Sequence, residues 1–127
     1  MRFTQRGLMA VDPNPTLLQD AAVATGNGAL MLTKGLPVAL MEVTIATTAT
    51  VLFEGTTDND PAVGSGTWRA IDAVNMVAGT RAATVTASAM VQVPCSGLSA
   101  VRARISAWTA GAVTVRGRMA PGPIVVV

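Results

Sequence analysis

The chain has 127 residues, a net charge of +2 and a single cysteine, Cys95. That length suits one domain, the charge is too small for sequence-independent phosphate binding, and a lone thiol rules out an internal disulfide framework. Histidine and tyrosine are absent altogether, which removes the usual general base near neutral pH and the commonest transition-metal ligand, so neither catalysis nor a cofactor is expected.

Residues 1–26 show no sustained period of 2.0 or 3.6. The prolines of "DPNP" force turn or extended backbone, and "TLLQDAAVA" makes at most a two-turn helix that is marginal without a partner surface. This stretch reads as an extended N-terminal arm. No signal-peptide core and no apolar run near the roughly 20 residues of a bilayer span is present, so a product made in the cytoplasm, with no membrane and no nucleic-acid partner, is expected.

From residue 27 the punctuation changes to short apolar runs separated by Gly, Pro, Asn and Asp. This spacing predicts an all-β chain, an antiparallel β-sandwich of jelly-roll-like type with about eight strands over 28–33, 37–45, 48–55, 66–74, 80–86, 89–94, 98–108 and 112–119. The sandwich domain is expected to run over 27–120. Small and β-branched residues dominate it, with only two Phe and two Trp, which suits sheets that approach closely. The polar loop 55–66 is expected to project from one end; its Asp58-Asn59-Asp60-Pro61 core is a turn signal rather than a calcium loop, lacking the central glycine and distant glutamate.

The two runs 98–108 and 112–119 alternate cleanly. Val101, Ala103, Ile105 and Ala107 face one way, while Arg102, Arg104, Ser106 and Trp108 face the other; Val113, Val115, Gly117 and Met119 oppose Thr114, Arg116 and Arg118. With "TAG" as a three-residue hairpin loop, Arg104 falls opposite Arg116 and Arg102 opposite Arg118. Like charges directly across a ladder are destabilising. The offset comes either from solvent, with Trp108 under the guanidinium stems and Glu42 or Glu54 reaching across, or from an acidic partner surface or bound anion. Arg102, Arg104, Arg116, Arg118 and Trp108 are therefore candidate partner-binding residues. So are Ile124, Val125, Val126 and Val127 of the apolar tail 121–127, which needs docking on its own sheet or a neighbour's. Ser96 and Ser99 have no imidazole to activate them, and the only carboxylates considered for a catalytic cleft are Glu54 and Asp72. Trp68 and Trp108 are considered for stacking on a sugar ring and read instead as core or interface anchors.

"TGNGALMLTKG", "ATVLFEGTTDN" with "GTWRAI", and "VPCSGLSAVRARISAWTAGAVTVRGRM" together resemble small β-sandwich proteins encoded among the virion genes of tailed bacteriophages. There a pattern F-E-G-S-x-D-G-x-x-W precedes G-L-S-x-V-R-x-R-V-S-x-x-T-x-G-x-V-T-V-x-G. The resemblance covers about residues 25–119, with Phe53, Glu54, Gly55, Asp58, Trp68, Gly97, Leu98, Val101, Arg102, Arg104, Gly111 and Gly117 matching. Thr56 replaces the serine, and a longer insertion separates Asp58 from Trp68. The resemblance implies a virion structural role. Size and the ends of the chain favour a capsid decoration, or cement, protein over a tail or head-fibre adhesin that binds carbohydrate. The expected partners are the major capsid protein and other copies of the chain as dimer or trimer, at the capsid surface of the virion.

Overall fold

The alternation read in the sequence becomes eleven strands among the residues that the computed structural model describes, 15–58, 60 and 67–122. They are β1 Thr16–Ala22, β2 Leu30–Leu32, β3 Val38–Ile45, β4 Thr48–Thr56, β5 Arg69–Ala70, β6 Ala73–Asn75, β7 Arg81–Ala82, β8 Thr84–Val85, β9 Ala89–Pro94, β10 Ala100–Ala110 and β11 Val113–Ala120. One antiparallel sheet has the order β1-β11-β3-β9-β6-β7, the other β2-β10-β4-β5 with β8 also paired to β4. The long strands lie where the period of two placed them. The runs 66–74 and 80–86 each break into two short strands, because the chain crosses between the sheets at Ile71-Asp72 and at Ala83.

The sheets close on a core of thin side chains: Val43, Val91, Val113 and Val115 from the first, Val51, Val101, Ala103 and Ile105 from the second, with Phe53 the one buried aromatic among the described residues. Full burial of each Val or Ile is worth about 1.5–3 kcal/mol, so the core stabilises by number rather than by bulk. Gly117 sets the spacing between layers, since a Cβ there would lie 3.0 Å from Leu18 Cδ1 and 3.2 Å from Met31 Cε of the opposite sheet.

Three expectations are corrected. The presumed arm is integral from Thr16 onward: β1 pairs with β11, Leu18 is fully buried, and Gln19 is buried with its amide donating to Ala103 O at 2.8 Å and Gly26 O at 3.2 Å. Gln19 thereby ties the first sheet to the second. A register shift between Leu17 and Gln19 breaks the alternation of β1, which is why no clean period of two is visible there.

The second correction concerns the last two strands, which do not pair with each other. β10 pairs with β4 and β2, whereas β11 pairs with β3 and β1. Gly111, at φ +85°, turns the chain from one sheet to the other, and it packs on Thr47 of the parallel β3-to-β4 crossing, where Ala46 N donates to Ala112 O at 3.0 Å. Physically, the crossing replaces two like-charge pairs with opposite-charge ones: Arg102 lies opposite Glu54, and Arg116 opposite Glu42.

Thirdly, Trp108 changes face. Between the pairs Ile105↔Val51 and Ala107↔Thr50 a β-bulge inserts an extra residue into β10, so the side chains beyond it swap sides. Ala107 becomes exposed, while Trp108 packs against the core with its indole N–H donating to Gly111 O at 2.8 Å. Ile124, Val125, Val126 and Val127 lie outside the described residues, as does most of the 55–66 loop.

Candidate functional site

Two outer sheet faces carry the arginines. On the β4/β10 face the antiparallel register sets Glu54 directly across from Arg102, with Arg104 two positions along on the same side. Arg102 Nε donates to Glu54 Oε1 at 2.9 Å and Arg104 Nη1 to Oε2 at 3.3 Å. The Glu54 side chain is only 7% exposed, against 15% for Arg102 and 40% for Arg104. Trp68, entering β5, closes the cluster: the Arg102 guanidinium carbon sits 4.2 Å above its ring centroid, within cation–π range. Two cations share one carboxylate, so the cluster keeps one unit of positive charge. The Glu54, Trp68, Arg102 and Arg104 positions of the sequence pattern thus meet in one place, held by strand register.

The β3/β11 face is built differently. Arg116 stands opposite Glu42 and Leu17, and Arg118 opposite Leu40. Among the described residues neither arginine makes an ion pair. A shallow groove runs here, with Pro15, Leu40 and Met90 as apolar lining and Glu42, Arg116 and Arg118 as its charged members. Leu40 and Met90 were not singled out in the sequence. Their outward positions on β3 and β9 were legible from alternation, but their place in one groove with Arg116 and Arg118 depends on the strand order β11-β3-β9. The single surface of four arginines is therefore two surfaces, on opposite sheets, and Trp108 belongs to neither.

At the start of the 55–66 loop Asp60 N donates to Asp58 Oδ1 at 3.4 Å and Ser99 Oγ to Asp58 O at 2.6 Å, while Asn59 and Pro61 of the expected turn lie outside the described residues. Thr56 O, 3.0 Å from Ser99 Oγ, shares that single hydroxyl proton, an anchoring role for Ser99. Burial pushes the Cys95 thiol up to about 11, partly opposed by a backbone hydrogen bond involving Ala39, so the group stays protonated at neutral pH.

Fold and faces together define a small antiparallel β-sandwich of a kind found among phage-derived proteins. It matches the SPBc2 prophage-derived protein YomS with a TM-score of 0.74 at 16% identity, over 91% of this chain and 98% of that one. It matches the PBSX exported protein XepA with a TM-score of 0.76 at 19% identity, over 94% of this chain and 44% of XepA, so this chain spans under half of that protein's length. The XepA family model matches residues 12–119, and the chain belongs to that family. Comparison with curated proteins finds no match.

Proposed function

We propose that this chain is a structural protein of a phage particle, a decoration protein that binds the major capsid protein on the outer shell. Its membership of a phage-derived family supports the phage setting. The observation that carries the reading is the β3/β11 sheet face, whose Arg116 and Arg118 make no ion pair among the described residues and suit an acidic protein surface through charge-assisted hydrogen bonds. A protein that binds the assembled shell and not its dissociated subunits stabilises the shell by linkage, and repetition over a lattice turns modest contacts into avidity. Self-association at a symmetry axis, as dimer or trimer, belongs to the same reading.

An adhesin reading is less favoured, because Trp68 has one ring face under a guanidinium and Trp108 packs against the core. A second reading has an observation of its own: XepA is described as an exported protein, which favours a phage product that acts outside the cell without riding on the particle. Gradient-purified particles separate the two. A decoration protein is recovered with the particles in fixed ratio to the major capsid protein; recovery only in the particle-free supernatant refutes decoration and favours the exported role.

A further inference from the structure

The four arginines end in two chemical situations. Glu54 takes a hydrogen bond from both Arg102 and Arg104, and Trp68 covers Arg102, so the positive charge on this face is partly neutralised inside the fold. Arg116 is exposed and Arg118 half-buried, and among the described residues neither pairs with a carboxylate although Glu42 stands in register with Arg116. Being alternate residues of one strand, Arg116 and Arg118 leave the backbone on the same side about 7 Å apart, the repeat at which an extended chain displays side chains on one side. Leu40 and Met90 give the groove beside them an apolar lining.

We infer that the β3/β11 face, through Arg116 and Arg118, is the docking surface for an extended acidic protein segment with carboxylates at alternate positions and an apolar residue for Leu40 and Met90, while Arg102 and Arg104 serve the fold. This rests on the proposed reading for the identity of the partner, but not for its chemistry. Glu42 sits at the same groove as a like charge and sets a threshold that only a well-registered acidic segment overcomes.

The test uses the full chain and a fluorescein-labelled peptide of two Glu-Ser-Glu-Ser-Leu repeats, with two Lys-Ser-Lys-Ser-Leu repeats as control, read by anisotropy over a salt series. Saturable binding of the acidic peptide alone is expected, weakened at least tenfold by Arg116→Ser with Arg118→Ser and strengthened severalfold by Glu42→Gln. Arg104→Gln, whose side chain is the more exposed of the two arginines on Glu54, should keep affinity within about twofold and controls for the loss of a positive charge outside the β3/β11 face. No binding by the wild type, equal binding of both peptides, or a loss with Arg104→Gln matching that of the Arg116/Arg118 variant overturns the inference. Peptide binding without association with particles would sink the decoration reading and leave this one standing.

Discussion

Replacing Glu54 with Gln keeps the shape of the side chain and removes the charge that two guanidiniums share. A hydrogen bond to a charged group contributes about 1.5–3 kcal/mol, and breaking a buried ion pair from one side costs roughly 3–5 kcal/mol. Two features reduce that figure here. The Arg104 contact is long, at 3.3 Å, and its side chain is 40% exposed, so solvent screens it; and the amide oxygen of Gln still accepts one bond. The expected loss is about 2–3 kcal/mol. For a domain of this size each kcal/mol moves Tm by roughly 3–5 °C, giving a fall of about 6–15 °C. Urea unfolding followed by tryptophan fluorescence measures it, with Trp68 reporting directly on the cluster. Combining Glu54→Gln with Arg102→Gln should lose at least about 1 kcal/mol less than the sum of the single changes. A Glu54→Gln protein within about 0.5 kcal/mol of wild type, or additive single changes, refutes the claim that this cluster holds β4 against β10.

Other outcomes follow from the same structure. Deleting residues 1–26 should abolish the cooperative unfolding transition seen by circular dichroism, because it strips β1, uncovers the Leu18 site and removes the Gln19 tie between sheets. Gln19→Leu should cost about 1–3 kcal/mol in urea by leaving the Ala103 carbonyl without that donor. Gly111→Ala places a Cβ 2.5 Å from Thr47 Oγ1 at φ +85° and should cost at least about 1–3 kcal/mol, visible as a lower Tm. Cys95 should react with maleimide only on unfolding at pH 7. Since its folded value of about 11 lies above the unfolded 9.0, its contribution is complete below pH 9 and stability falls as pH rises from there through about 11.

What the sequence made legible was everything that depends on period two. β3, β4, β9, β10 and β11 lie within two residues of the runs read from alternation, and Val101, Ala103, Ile105, Val113, Val115 and Met119 face the core as their spacing requires. What it concealed depends on non-local pairing. Gly111 reads equally well as a hairpin turn and as a crossing between sheets, since both need a positive φ; the choice was made by Thr47 and Ala46, over 60 residues earlier. The like-charge ladder implied by a hairpin was the available warning, and Glu42 and Glu54 were already visible as its remedy. The inversion of Trp108 rests on a bulge whose extra residue leaves no mark in a run of Ser, Ala and Thr. β1 escaped notice because its own register shift scrambles the pattern by which strands are found.

The most direct measurement of the central claim is co-sedimentation of the purified protein with undecorated phage shells across a salt series. Saturable binding that weakens as salt rises, and that Arg116→Ser with Arg118→Ser abolishes while Arg104→Gln leaves it in place, is the expected result. Shells that pellet without the protein at low salt, or binding indifferent to both salt and the Arg116/Arg118 change, would contradict it.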